Sequence, residues 1–393
     1  MKVNSMFVKI IGTFLSRGGA AFLSLISSMF IVRYLGESDA GGYFTELSFA
    51  TFLSTLVSFG SNGLTLKLVS NRIGNINEIA NQNLLFIIKN TVIILIILNV
   101  ISFFYENNIN MYFICVYGCF FSIAQSYQFM LIAKGNAGVS YFLNNWIPSL
   151  FVIYAAFFFP NYIYIYTCLG YIVSTLLLYL CLYRMKDHDR FDKEINDEFK
   201  INNRWNYLQQ DILGQIYSSF VIILSSNYLS KEDISKLAIY IKLTSVCNII
   251  ISIFNMTIYH RLFQKIKVKS EYMSLYILSF LNILGVISFM LPLFYFWDYV
   301  RSYYNISIEK EYIFIVFIAY LISGFSGCSQ MLLNSMGHDR VVKNISWLTF
   351  TVGIILLNYF TYTFNVLGAL IALSITISLQ SIMNYFYLRI YLL

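Results

Sequence analysis

Residues 16–63 read SRGGAAFLSLISSMFIVRYLGESDAGGYFTELSFATFLSTLVSFGSNG. Two apolar runs fill this stretch, and the polar segment RYLGESDAGG (33–42) separates them. Each run is close to the roughly 20 residues that a helix needs to cross a hydrocarbon core about 30 Å thick. The stretch therefore reads as two membrane spans joined by a short loop, with one charge, Arg17, set inside the first.

The rest of the chain repeats that pattern. Of its 393 residues 58% are hydrophobic, 18% aromatic and 11% charged, and mean hydropathy is +0.68. A soluble domain carries about 25% charge, and about a quarter of the extended-chain surface stays exposed at this size. Water cannot solvate so apolar a surface, so the solvent is a bilayer. Soluble enzymes, secreted disulfide scaffolds and nucleic-acid binders are excluded. Twelve apolar runs are long enough to span: 6–34, 42–66, 83–105, 110–133, 140–159, 161–183, 206–230, 236–260, 272–297, 311–335, 341–363 and 366–388. The fifth and sixth are split at Pro160, which removes a helix donor and clashes with the preceding turn. The opening MKVNSMFVKIIGTFLS lacks a small-residue cleavage site and reads as the start of the first span.

Basic residues set the orientation. With the N-terminus in the cytoplasm, cytoplasmic segments hold 19 Lys and Arg and outer segments five, with Arg17 and Lys242 left inside spans. Twelve spans put both termini inside. The net charge of +7 is then a matter of topology and calls for no nucleic-acid partner. The segment RMKDHDRFDKEINDEFKINNRW (184–205) carries both signs and reads as a solvated linker. It divides the chain into a six-helix bundle over 1–184, a linker over 185–205 and a second six-helix bundle over 206–393. The two halves echo each other weakly: Tyr34-Leu35 matches Tyr228-Leu229 and Arg17 falls opposite Asp211, both at an offset of 194. Internal repeats are common in transporters, with the substrate held between them.

Several residues do not belong in lipid. Arg17 lies about eleven residues into its span, roughly 15 Å deep, where a lipid-facing Arg costs about 2.5–3.5 kcal/mol by insertion scales. Its face continues through Ala20, Ala21, Ser24, Ser27 and Ser28. That stripe suits a cavity wall or a helix interface, and Arg17 either binds a ligand, snorkels to the interface or pairs with a carboxylate such as Asp211. Glu46 starts a similar stripe in the second span, near the outer interface. Asp211 opens the seventh span, as an ion-responsive acid, a partner for Arg17 or a helix N-terminal acid favoured by the dipole. The eighth span carries Lys242, Ser245, Asn248, Ser252 and Asn255 on one face, either a cavity wall or polar helix packing. Gln128 and Gln330 are secondary candidates, with mid-helix hydrogen bonding as the plain alternative. The three His (188, 260, 338) fall in cytoplasmic loops, and the six Cys (115, 119, 168, 181, 247, 328) lie in apolar runs without metal spacing. No phosphate-binding loop, nucleophile elbow or metalloprotease motif is present. We expect no catalytic residue, cofactor or metal.

Within residues 16–62, Ser16-Arg17, Arg33-Tyr34-Leu35-Gly36, Asp39-Ala40-Gly41-Gly42-Tyr43 and Phe59-Gly60 together resemble the opening of bacterial polysaccharide (O-antigen type) flippases. These belong to the multidrug/oligosaccharidyl-lipid/polysaccharide (MOP) exporter superfamily. The resemblance implies an all-α polytopic membrane protein with twelve transmembrane helices in two six-helix bundles, as in multidrug exporters of that superfamily. It implies a bacterial inner-membrane protein that moves undecaprenyl-diphosphate-linked oligosaccharide, an O-antigen or capsule repeat unit, between leaflets by alternating access. A polysaccharide polymerase and a chain-length regulator are the implied partners. On this reading Arg17 and Lys242 bind the diphosphate, Ser24, Asn248, Ser252 and Asn255 meet the cargo, and Asp211 and Glu46 respond to a coupling ion. Arg suits phosphate because its planar fork binds bidentately. Two rivals are a multidrug exporter of the same superfamily and a polysaccharide polymerase or ligase. The polymerase would need a large outer loop, and the longest here spans about 298–310.

Overall fold

The computed structural model describes residues 2–70, 75–104, 110–184, 201–215, 218–266, 272–304, 308–336 and 338–392. Within these residues every regular element is a helix. In lipid each backbone polar group must be satisfied within its own segment, and helices do so. In chain order they are α1 (Lys2–Leu35), α2 (Glu37–Ser58), α3 (Ser61–Ser70), α4 (Ile76–Phe104), α5 (Met111–Ala133), α6 (Ala137–Tyr141), α7 (Ile147–Phe158), α8 (Ile163–Arg184) and α9 (Ile201–Gly214). Then follow α10 (Ser219–Ser225), α11 (Lys231–Ile266), α12 (Tyr272–Tyr295), α13 (Trp297–Tyr304), α14 (Lys310–Ser326), α15 (Ser329–Ser335) and α16 (Asp339–Leu392).

The twelve expected spans map onto this order. Nine helical stretches of the described residues are long and apolar enough to cross a membrane, and one of them, Arg340–Tyr391, holds two expected spans. These are separated by non-helical backbone at Phe364 and Asn365, an Asn being among the few residues that tolerate a left-handed turn. Two further expected spans, 42–66 and 206–230, fall on the shorter helices α2 and α3 and α9 and α10. The chain is a multi-pass membrane protein. The expected break at Pro160 is present as a short 3-10 turn over Pro160–Tyr162. The outer segment expected as loop contains α13, because Trp297 and Tyr304, two turns apart, bury the same helical face.

Two compact units divide the chain. The first holds Met1–Leu35 and Tyr43–Gln215, and the second holds Gly36–Gly42 and Ile216–Leu393. In the first, α5 is central and packs against α3, α4 and α8, while α1 and α8 flank α7. Its larger core joins Val57, Leu64, Leu68, Ile79, Ile87, Met130, Leu131 and Leu178. Nearer the other end of α5, Tyr117 packs edge-on to Tyr171 at 5.0 Å, and Phe113 to Tyr164 at 4.8 Å. Tyr43 is buried there and its hydroxyl shares a 3.0 Å hydrogen bond with Thr167, giving a phenol in an apolar core the partner it needs. In the second unit α16 packs along α14, α15 and α10, and α12 lies against α11 and α14. Its core joins Leu278, Cys328, Leu332, Leu333 and Leu388. All six cysteines are free thiols.

Candidate functional site

Arg17 sits half-buried on α1, and its guanidinium lies 4.5 Å from the centre of the Tyr141 ring. A cation over an aromatic face gains about 0.5–2 kcal/mol, more as water is excluded. The ring is placed by an irregularity in the next layer. Between α6 and α7 the helix widens to a π turn over Phe142–Trp146. Pro148 explains the widening, since it has no N–H for the Asn144 carbonyl and its ring crowds that group. Such π turns are frequent at functional sites.

The wall beside Arg17 follows from the same turn. Trp146 donates from Nε1 to the Ser16 carbonyl at 2.9 Å. It fits because residue 19 is glycine: a Cβ there would meet the Trp146 ring at 2.1 Å. Asn144, also in the turn, is buried and donates from Nδ2 to Gln128 Oε1 at 2.6 Å. Its own Oδ1 is buried without a hydrogen-bond partner among the described residues. Gln128 thus joins α5 to the π turn, the plain alternative weighed for it, whereas Gln330 is exposed. Along α1, Ser27 donates to the Ser24 carbonyl at 2.9 Å and Ser28 to the Leu25 carbonyl at 2.8 Å. Ser27 and Ser28 are therefore satisfied by their own helix backbone, and Ser24 is half-buried.

The remaining candidates lie on α2, α9 and α11. Glu46 is half-buried on α2, with one carboxylate oxygen out of contact with solvent. Asp211 is half-buried on α9, and its Oδ2 is buried without a hydrogen-bond partner among the described residues. In the second unit Lys242 is half-buried on α11, and its carbonyl accepts from Ser245 at 2.7 Å. Asn248 is exposed, and Ser252 donates back to Ile249 at 3.2 Å. Asn255 is buried among its neighbours: Nδ2 donates to the Gly327 carbonyl at 3.3 Å, and Oδ1 accepts from Asn282 at 2.9 Å. The α11 stripe therefore runs from an exposed face at Asn248 into helix packing at Asn255.

One charge lies elsewhere than expected. Arg204, read from sequence as a cytoplasmic linker residue, is 2% exposed. It begins the packed face of α9, where Leu208 follows at one helical turn and Gln215 reaches Thr55 at 3.1 Å. Its guanidinium donates to Ser61 Oγ at 2.5 Å and to Asn83 Oδ1 at 3.1 Å, and lies 4.1 Å from the Phe86 ring centre. Asn83 in turn donates to Thr65 at 2.6 Å and Ser126 at 3.2 Å. The signal in the sequence was the spacing of Arg204 with Leu208, which places both on one helical face. The stretch 201–205 thus belongs to α9, while 185–200, the rest of the expected linker, lies outside the described residues.

No protein-family model matches the chain, and no curated protein matches it. Solved structures do. A structure described as the inward-facing conformation of a multidrug resistance MATE family transporter of the MOP superfamily superposes with TM-score 0.65 at 12% identity, covering 98% of both chains. Lipid II flippase MurJ in an inward closed conformation gives TM-score 0.66 at 16% identity, over 98% of this chain and 87% of that one. A MOP superfamily transporter from Pyrococcus furiosus, described as having a binding pocket of reverse polarity, gives TM-score 0.60 at 12% identity, over 98% and 95%. At these identities the likeness is one of architecture, and it extends over nearly the whole chain. The protein has the all-helical, membrane-spanning fold of the MOP superfamily transporters.

Proposed function

We propose that the protein is a flippase that carries undecaprenyl-diphosphate-linked oligosaccharide, an O-antigen or capsule repeat unit, from the inner to the outer leaflet of a bacterial inner membrane by alternating access. The observation that carries this reading is Arg17, a cation held midway along an expected span over the Tyr141 ring. A diphosphate is the lipid headgroup chemistry that such a cation favours, and in a low-dielectric site the attraction exceeds its value in water. The likeness to a lipid II flippase supports it. Lys242 assists from the second half, with Ser24, Asn248 and Ser252 toward the glycan. Asp211, with a buried oxygen that has no hydrogen-bond partner among the described residues, is the favoured coupling acid, and Glu46 the second. A polymerase and a chain-length regulator would receive the flipped unit, and both termini face the cytoplasm.

The test is translocation. Inner-membrane vesicles are loaded with labelled diphosphate-linked oligosaccharide on the cytoplasmic leaflet, and label reaching the other leaflet is counted with and without the protein. Protein-dependent crossing is expected. No crossing by folded protein with its cognate glycan would end the flippase reading. The second reading, multidrug export, is favoured by the equal likeness to multidrug transporters. Efflux of cationic dyes without movement of lipid-linked glycan would select it.

A further inference from the structure

In the second unit, the connection between α12 and α14 holds a short helix with three different sides. The membrane-length stretch before it ends at Tyr295 and the next begins at Lys310. Consecutive spans meet the same membrane surface, so residues 296–309 leave and re-enter there. α13 starts directly after a turn at Phe296 and packs against α12. The far end of the connection is tied down as well. Ile308 is buried, and the Tyr240 hydroxyl accepts from the Glu309 amide at 2.7 Å and donates to the Glu309 carbonyl at 3.1 Å. α13 is therefore kept at the level where α12 leaves the hydrocarbon. Its residues sort by side. Trp297 and Tyr304, seven apart, are buried. Asp298 and Arg301, three apart, share an exposed side. Phe296, Tyr299 and Tyr303, at steps of three and four, share another exposed side. The Phe296 and Tyr299 rings lie 6.2 Å apart, and Tyr295 stands edge-on to Phe296 at 4.9 Å, so the rings form one patch.

From a helix fixed at the rim of the hydrocarbon, with charges on one exposed side and rings on the other, we infer that α13 is an interfacial anchor. Its Phe296, Tyr299 and Tyr303 side inserts among the headgroups and upper acyl chains of the adjoining leaflet, the outer one on the expected topology. Asp298 and Arg301 stay in water. Tyr suits that depth because its ring is apolar and its hydroxyl is not. Helices of this kind sink their apolar side about 5–10 Å into the interface. The polar side of α13 carries one charge of each sign, so the attraction of a basic residue to anionic lipid is offset. The partner is then the neutral lipid interface. The inference stands apart from the transport reading, because it concerns how the second unit is held in the bilayer, whatever the cargo.

The experiment uses the full chain in phosphatidylcholine vesicles and reads the tryptophan emission added over the parent protein. Tyr299→Trp puts a reporter on the ring side, and Asp298→Trp puts one on the charged side. Phosphatidylcholine brominated near the top of its acyl chains should quench Tyr299→Trp severalfold more than Asp298→Trp. Iodide, present on both sides of the membrane, should rank the two in reverse. Tyr303→Trp, four residues on and on the same side, should follow Tyr299→Trp. Adding phosphatidylglycerol should leave the ranking unchanged. Melting temperatures equal to the parent's, measured beside each reading, show that the fold is kept. Iodide quenching of the ring-side reporters as strong as that of Asp298→Trp would overturn the anchor, because the rings would then stand in water. So would ring-side emission that neither quencher reaches, since a protein surface would then cover the patch. Lipid quenching that appears only with phosphatidylglycerol would also overturn it, in favour of a site for an anionic headgroup.

Discussion

Arg17 and Arg204 differ in what surrounds each guanidinium. Arg17 is half-buried over an aromatic face, whereas Arg204 is sealed among neutral oxygens at Ser61 and Asn83. We propose a ligand-binding role for the first, whereas the second fixes a helix. Arg17→Ala should therefore weaken binding of a diphosphate lipid with little change in melting temperature. A hydrogen bond to a charged group is worth about 1.5–3 kcal/mol, so the loss is about tenfold or more in affinity, read by titrating labelled lipid into purified protein. Arg17→Lys should recover part of it, because an ammonium lacks the planar fork. Wild-type affinity in Arg17→Ala would remove this residue from the site. Arg204→Ala should do the opposite. It strands Asn83 Oδ1 and Ser61, at about 1.5–3 kcal/mol for each bond lost, and a thermal melt should show the drop. Gly60→Ala should destabilise the same seat, since its φ is +70° and the new Cβ would meet the Arg204 carbonyl at 2.2 Å. A melting temperature unchanged in both variants would refute the clamp.

The π turn of residues 142–146 decides the geometry at the scale of elements. Pro148 lies beyond it, and Tyr141, Asn144 and Trp146 owe their directions to it. Pro148→Ala restores the missing donor and lets the segment return to α-helical register, turning Tyr141 relative to α7. Stability should move by less than about 1 kcal/mol, the size of the unfolded-state entropy that proline removes. Cargo binding should nevertheless fall by a factor close to that of Arg17→Ala. Unchanged binding would mean that the Tyr141 contact does not hold Arg17 in place. Pro148 was visible in the sequence, but nothing there tells a π turn from a kink, because the choice rests on packing against α1 at Gly19. Spans were legible because hydrocarbon imposes length and apolarity on each helix separately. Polar stripes were legible as stripes, yet Ser27 and Ser28 bond their own helix and Asn255 bonds its neighbours. Periodicity reports which face is polar and is silent on what that face meets. Arg204 was misread for the reverse reason: a charge beside a polar linker looks solvated until the helix that buries it is seen.

For the whole molecule the decisive question is how many helices cross. Ten crossings follow from the nine continuous apolar stretches once Arg340–Tyr391 is counted twice. Twelve require the helix pairs α2 and α3 and α9 and α10 to cross as well. Both counts are even and put the two termini on one side, so the termini cannot decide. Residues 185–200 can. With six crossings before it that segment shares the side of the termini, and with five it faces the opposite side. Two observations favour six. Non-helical backbone at membrane depth is tolerated only where protein covers it, and the Phe59–Gly60 break is covered by α9 at the Arg204 carbonyl, Tyr207 and Leu208. The segment and its flanks are also rich in Lys and Arg, which favour the cytoplasmic face. On a background without native cysteines, Arg190→Cys and Asn4→Cys should both resist a membrane-impermeant thiol reagent in intact cells and react in inside-out vesicles. Arg301→Cys, on α13, should show the reverse. Reaction of Arg190→Cys from the outside, with Asn4→Cys protected, would reduce the crossings to ten and make the two helix pairs re-entrant. Arg17 would then face a half-bundle whose second helix turns back, and alternating access between two equal bundles would have to be given up.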